Sequence, residues 1–286
     1  MKLHTFVIPP HAGKTRLAAY ARRMLPQVPE YALREAFQKR DVKVNGQRVG
    51  LDALVVPGAE VKIYTRDLEE KQRKIDVLYE DDQLLAVFKP AGISCEPDQK
   101  GGQTLPQLLR AQLNLSAEPL LCHRLDNPTE GLILLAKTER IQLLLQDAFR
   151  SRLIHKEYTC LVLDTPTPAH AVLEHYLVKD AKHARVRVTP HAGPAAKSIV
   201  TEYGVLEAGE RCRVRICLHT GRTHQIRAHM AFIGHPVLGD DQYGDREANR
   251  RLKARRLMLC STKLTFELQG ELAYLNEKKF TCSPTF

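Results

Sequence analysis

Tryptophan is absent from the 286 residues and aromatics make up only 6 % of them, so any stacking surface must come from a few Tyr, Phe or Arg side chains. No apolar run approaches the ~20 residues that a membrane-spanning helix needs. Residues 1–10 also lack the apolar stretch of a signal peptide, so a cytoplasmic protein with no membrane partner is expected. The seven cysteines are scattered and include no Cys-x-x-Cys pair, which argues against a disulfide framework and against a thiolate zinc site. No internal repeat of 20–50 residues and no low-complexity tract occurs, which excludes a solenoid. Acidic residues are in deficit: 33 Asp and Glu against 43 Lys and Arg leave a formal charge of +10. With 43 % hydrophobic residues the chain is not disordered by composition, and the surplus points to a polyanionic partner, nucleic acid first.

The length is a prior for about two domains, and charge divides the chain the same way. Residues 14–65 carry net +5, half the surplus in under a fifth of the length. Helical spacing appears at 16–25 and again at 31–40. Period-2 alternation over 42–49 then surrounds Asn45-Gly46, a strong hairpin signal, and Pro57-Gly58 marks a further turn before a strand at 61–64. Residues 66–74 are charged and aperiodic, as a linker would be. From residue 75 to 286, strand-like runs (84–88, 132–136, 158–163, 213–218) alternate with loops and a helical stretch at 141–149. The expected fold is α+β: a mixed, mostly antiparallel β-sheet with flanking helices, plus the small α+β unit ahead of it.

Two stretches concentrate reactive side chains. His123-Arg124-Leu125-Asp126-Asn127-Pro128-Thr129-Glu130-Gly131 sets cations, a carboxylate and turn formers directly before an apolar strand, where a scaffold can hold side chains rigidly. A plain surface turn with an Asp-Arg pair is the competing account. Residues 218–229 and 233–244 are dense in Arg, His and Gly, which suits binding a polyanion and buttressing a carboxylate. His224, His229 and His235 also raise a metal site. No carboxylate has the spacing of a His-Glu-x-x-His ligand set, however, and the intervening arginines repel a cation, so no metal is expected.

Five motifs in register resemble the RluA family of pseudouridine synthases across about residues 75–268. They are Lys89-Pro90-Ala91-Gly92; His123-Arg124-Leu125-Asp126 with Thr129 and Gly131; Lys156-Glu157-Tyr158; Thr220-Gly221-Arg222-x-His224-Gln225-Ile226-Arg227-x-His229; and Gly234-His235-Pro236-x-x-Gly239-Asp240-x-x-Tyr243-Gly244. Residues 14–65 resemble the small RNA-binding module of the ribosomal-protein-S-four type, mainly through residues 42–46 and the helix spacing, although Ala18 and Ala59 replace its two acidic residues. Three departures stand out in the larger region. Glu130 occupies a position where the family usually has Ser, Ile199 one where Ala is usual, and Cys260-Ser261 replace an expected His-Ala.

The resemblance implies an enzyme that isomerises uridine to pseudouridine in structured RNA, with ribosomal RNA first, acting as a monomer without cofactor, nucleotide or metal. It implies Asp126 as nucleophile, attacking the base at C6 or the ribose at C1′. Arg227 matches the residue that pairs with that carboxylate, with Arg222 as a rival whose other role is a phosphate contact. Tyr158 matches the tyrosine that stacks on the uracil and takes the C5 proton, and Ile226 an apolar wall of the same pocket. Arg124 would enter the RNA stack that the uridine vacates, and His123 and Thr129 complete the expected substrate contacts. Flipping a base costs a few kcal/mol, and a planar guanidinium suits the vacated space. Two readings from other classes compete: a non-catalytic RNA-binding assembly factor, kept open by Glu130, and a metal-dependent hydrolase.

Overall fold

A strand that is buried on both faces organises most of the chain, and its sequence, Glu130–Ala136, is apolar after the first two residues. The computed structural model describes residues 2–13, 15–26, 28, 30–65, 74–97, 102–180 and 185–286. All of the expected linker except Lys74 lies outside the described residues. The chain divides into two compact units, one of Met1–Lys74 with Glu96–Gln103 and the other of Ile75–Cys95 with Thr104–Phe286.

The first unit contains β1 (Lys2–Val7), α1 (Leu17–Met24), α2 (Glu30–Gln38), β2 (Val42–Val44), β3 (Gln47–Val49) and β4 (Glu60–Thr65). Its antiparallel sheet runs β1-β4-β2-β3. Asn45 and Gly46 turn the β2–β3 hairpin with φ of 47° and 83°, the two positive values that a tight primed turn requires. Apolar faces of both helices meet the sheet in a core that includes Leu17, Ala21, Leu33, Phe37, Val42, Val61 and Ile63. The sheet begins upstream of residue 14: β1 pairs along the whole of β4, and His4 Nε2 lies 2.9 Å from Thr65 Oγ1. The physical reason for missing β1 is that only one of its six side chains, His4, is buried, so it carries no apolar alternation.

The second unit holds β5 (Asp76–Glu80), β6 (Leu84–Lys89), α3 (Leu105–Leu113), β7 (Leu120–Leu121), β8 (Glu130–Ala136), α4 (Glu139–Arg150), β9 (Ile154–Leu163), β10 (His170–Asp180), β11 (Arg185–Thr189), β12 (Lys197–Glu207), β13 (Arg211–Leu218), α5 (Gln225–Phe232), α6 (Arg246–Arg251), β14 (Leu259–Phe266) and β15 (Phe280–Thr281). Its sheet runs β11-β10-β12-β13-β9-β14-β8-β6-β5, with β7 on β8 and β15 on β14. Only the β8–β14 pair is parallel among the described strands, so the sheet is mixed and mostly antiparallel, as expected. Alternate residues of β8 enter two cores: Ile133 and Leu135 join Leu85, Val87, Cys160 and Val162 on one face, while Leu132 and Leu134 join Ile141, Leu145 and Leu264 on the other. Gly131 has φ of +115°, and a Cβ there would stand 2.3 Å from Ser261 O, so only glycine lets β14 lie against the start of β8. That contact fixes where the preceding turn ends. No helix among the described residues is long and apolar enough to cross a membrane.

Candidate active site

The turn before β8 is built from its own residues. Asn127-Pro128 favours a bend, and the Thr129 N–H donates to Asp126 O at 3.0 Å to close it. Lys89, the last residue of β6, is fully buried and donates its ammonium to Pro90 O, Ile93 O and Asn127 O at 3.2, 2.9 and 3.2 Å. Burial pushes its pKa down to about 8, opposed by the nearby charges of Cys95, Asp126 and Glu130. The Gly92 N–H also reaches Asn127 O, at 2.8 Å, so two backbones converge on one ammonium and the turn is anchored from below.

The second half of the site comes from the loop after β13 and from α5. Gln225 braces that loop: its Oε1 accepts from Arg222 N and Thr220 Oγ1, while its Nε2 donates to Val200 O and Thr201 Oγ1 on β12. From the first turn of α5, Arg227 donates through Nη1 to Asp126 Oδ2 at 3.2 Å. Its Nε and Nη2 form a fork to Asp240 Oδ2 and Oδ1 at 2.7 and 2.9 Å. One guanidinium therefore spans two carboxylates, a part that its planar set of donors fits and an ammonium does not. The two carboxylates differ in exposure: the Asp240 side chain is fully buried, whereas that of Asp126 keeps 24 % of its surface open. Burial alone would raise the Asp240 pKa, but the Arg227 hydrogen bond and charge more than offset this and hold it below the ordinary carboxylate value. Gly239, with φ of +74°, lets that loop pass so close to Arg256 that a Cβ would meet its carbonyl oxygen at 1.7 Å.

Tyr158 on β9 and Ile226 on α5 are buried in the same core as Leu125, the residue before Asp126. The Tyr158 pKa is raised by burial first and by the Asp126 charge second, so the phenol keeps its proton. The structure thus brings Asp126, Arg227, Tyr158 and Ile226 together. Arg124, two residues before Asp126, is exposed. Arg222 is exposed as well and enters the bracing only through its backbone N–H, so the rival pairing with Asp126 is not made.

His123 and Thr129, expected among the substrate contacts, have structural tasks. His123 Nε2 accepts the Leu134 N–H at 3.0 Å, filling the edge of β8 between its pairings with β7 and β14, and its ring packs 4.5 Å from that of Phe149. Burial lowers its pKa to about 3, so the ring is neutral and Nδ1 bears the proton. Thr129 is buried, and its backbone closes the Asp126 turn. Glu130 does not face Asp126 as an unpaired charge. Its carboxylate accepts from Arg256 Nη1 at 2.6 Å and from Thr285 N and Oγ1 at 2.8 and 2.7 Å. The three histidines that raised a metal site do not converge. His224 meets Tyr243, His229 lies between Thr201 and His175, and His235 bonds to Leu163 O.

Sequence reasoning assigned no role to Lys89, Asp240 or Tyr243, and raised His224 only as a metal ligand. Each lies inside a quoted motif, so the motifs flagged the positions. The pairing of Asp240 with Arg227 needed the fold, because thirteen residues separate them and the spacing matches no helix face.

Comparison with known proteins gives a consistent set of matches. A family model described as RNA pseudouridylate synthase matches residues 83–232. Ribosomal large subunit pseudouridine synthase D of Vibrio cholerae serotype O1 is 34 % identical over 228 residues, covering 75 % of this chain and 68 % of that protein. Ribosomal large subunit pseudouridine synthase C of Vibrio parahaemolyticus serotype O3:K6 is 29 % identical over 274 residues, covering 88 % and 84 %. Among solved structures, human RNA pseudouridylate synthase domain containing 4 aligns with a TM-score of 0.61 at 25 % identity, over 73 % of this chain and 88 % of that one.

Proposed function

The chain belongs to the RNA pseudouridylate synthase family and is an RNA pseudouridine synthase, and we propose that it converts specific uridines of ribosomal RNA to pseudouridine with Asp126 as the nucleophile. The substrate follows from the relatives, which are synthases of the ribosomal large subunit. One observation carries the assignment of the nucleophile: Asp126 is the partly open carboxylate of a pair whose buried partner, Asp240, already occupies the fork of Arg227. The isomerisation breaks the N-glycosidic bond, turns the freed uracil and rejoins it through C5, with the C5 proton lost to solvent and one taken up at N1. It therefore needs a carboxylate, a cation that aims it and walls that retain the base.

In this reading Asp126 attacks C6 of the base or C1′ of the ribose, and Arg227 holds it in place. Tyr158 stacks on the uracil with its phenol protonated, and Ile226 supplies an apolar wall. Arg124, which is exposed, enters the stack where the uridine leaves it, and Arg222, exposed on the braced loop, meets phosphate. The chain acts as a monomer in the cytoplasm, and the unit that ends near residue 65 is an RNA-binding module resembling the ribosomal-protein-S-four type, which supplies affinity. The non-catalytic alternative rested on Glu130 together with the basic N-terminal unit, and the charge of Glu130 is paired by Arg256.

The test is Asp126→Asn in a tritium-release assay on RNA labelled at uridine C5. Turnover is expected to vanish while RNA binding persists, and a variant that still releases tritium would remove Asp126 from the nucleophile's place.

A further inference from the structure

Asp126 has a second neighbour on the oxygen that Arg227 reaches. His224 Nε2 lies 3.7 Å from Asp126 Oδ2, just outside hydrogen-bond range, and such contacts tighten when a site is loaded. On the other edge of the ring, His224 Nδ1 is 2.9 Å from the Tyr243 hydroxyl. That hydroxyl also accepts the Val186 N–H, at 2.9 Å, from strand β11. An amide N–H can only donate, so the hydroxyl acts as acceptor there, and of its two described partners only His224 Nδ1 can take the phenol proton. Nδ1 is then the unprotonated nitrogen, and Nε2 carries the hydrogen that faces Asp126. Burial lowers the pKa of the ring, more than the nearby Asp126 charge raises it, so the neutral form prevails near pH 7.

The backbone supports the same account. His224 caps the N-terminus of α5 with φ of 54°, a left-handed conformation that a side-chain-bearing residue keeps only when its surroundings hold it. The Tyr243 ring is held in turn: the Arg227 guanidinium stands 5.2 Å from its centroid, and its hydroxyl is tied to β11. On Asp126, both neighbours approach Oδ2, and among the described residues no hydrogen bond is made to Oδ1.

We propose that His224 is a positioning residue for the isomerisation: its neutral ring, fixed in the Nε2–H tautomer by Tyr243, joins Arg227 on Asp126 Oδ2 and leaves Oδ1 as the oxygen presented to the uridine. This rests on the reading of Asp126 as nucleophile and adds which of its oxygens reacts and what selects it. A carboxylate held on one oxygen by two donors from different directions cannot rotate about its Cβ–Cγ bond, so the second oxygen stays aimed. Misplacing a reacting atom by about 1 Å costs on the order of 100-fold in rate.

Two substitutions separate the Nε2–H donor from the bulk of the ring. A glutamine amide nitrogen reaches where His Nε2 stands, whereas an asparagine amide nitrogen reaches only to Nδ1. In single-turnover tritium release at saturating RNA, His224→Asn is expected to slow the reaction by about 10- to 100-fold with RNA affinity unchanged, and His224→Gln to return it to within about 5-fold of the parent chain. Tyr243→Phe, which keeps the ring but frees the tautomer, is expected to slow the step by about 3- to 10-fold without changing affinity. Full rate in His224→Asn, or equal rates for His224→Gln and His224→Asn, would overturn the proposal. If His224→Asn fails to fold, full rate in Tyr243→Phe overturns it instead. Failure here is distinguishable from failure of the nucleophile assignment, because Asp126→Asn remains inactive in the first case and turns over in the second.

Discussion

Charged side chains lie at the surface of both units, but among the described residues only the second also buries them. In the first unit Arg22, Arg23, Lys39, Arg40 and Arg48 are exposed, and the ion pairs of Lys39 with Glu35 and of Lys62 with Glu60 lie at the surface. In the second, Lys89, Glu130, Arg227 and Asp240 are each 3 % exposed or less. A charge left in water needs no fixed partner, and exposed pairs contribute little to stability. A charge taken out of water must find its partners already in place, or the fold does not close around it. Outer charges can therefore be scattered and still hold a polyanion, while inner ones mark points where the chain holds an atom still. In this molecule the held atoms surround Asp126.

The sharpest way to break that contrast is to remove one inner partner. Asp240→Ala leaves Arg227 buried with only the partly exposed Asp126 and the exposed Asp241, 3.7 Å from Nη2, as counter-charges, and removing one member of a buried pair costs roughly 3–5 kcal/mol. Thermal or denaturant unfolding of the second unit is expected to show a loss of that size. Turnover should fall as well, because the guanidinium loses the fork that orients it. A change under 1 kcal/mol would show that water reaches Arg227 and that Asp240 does not hold it.

How far the sequence reveals these two uses of charge differs by unit and by element. The hairpin at Asn45-Gly46, the helices of the first unit, and β6, β8, β9, β13 and α4 were legible because local periodicity and turn chemistry agree with their packing. Helix α5 was not. Gln225, Ile226, Arg227, Ala228, His229 and Met230 are all buried, so it has no polar stripe to reveal its period, and its Arg and His residues read as a polyanion-binding stretch. Strand β1 stayed hidden for the opposite reason, being exposed at all but one side chain. In the site, Asp126, Arg227, Tyr158 and Ile226 came from motif resemblance. Lys89 and Asp240 act through partners 38 and 13 residues away, which no local pattern encodes. The place of the His123 ring at the edge of β8 was hidden because its turn context gave no sign of it.

A gentler probe of the interior is acid. His229 is fully buried, with Nδ1 at Thr201 Oγ1 and Nε2 at His175, and burial, reinforced by His175, lowers its pKa to about 4. The unfolded chain takes up this proton near pH 6.5, whereas the folded chain resists it until about pH 4. Between those values the unfolded state binds more protons, so stability falls as pH falls, by up to about 3 kcal/mol from this group. Melting temperature measured from pH 7 to pH 4 should drop more in the parent chain than in His229→Gln, which has no proton to gain. Parallel curves would mean that the ring is already protonated in the folded state.

The smallest effect on chemistry should come from removing the whole outer set of charges. Each unit has its own core, and every residue proposed to act on the uridine lies in the second. A chain beginning at Ile75 is therefore expected to fold and, on a short RNA at saturation, to keep the kcat of the parent. Its affinity for full-length ribosomal RNA is where the loss should appear. Each phosphate contact removed takes roughly 0.7–0.9 from the slope of log K against log salt, so losing several exposed Lys and Arg contacts should weaken binding and flatten its salt dependence together. Tethering a module with even modest affinity also raises the effective concentration of RNA at the other unit, an advantage that disappears at saturation. Equal salt slopes for the two chains would show that the exposed cations of the first unit are only a solvated surface. A loss of kcat in the shortened chain, with folding intact by circular dichroism, would mean that the first unit takes part in the chemistry, and the division between outer and inner charges would no longer separate affinity from catalysis.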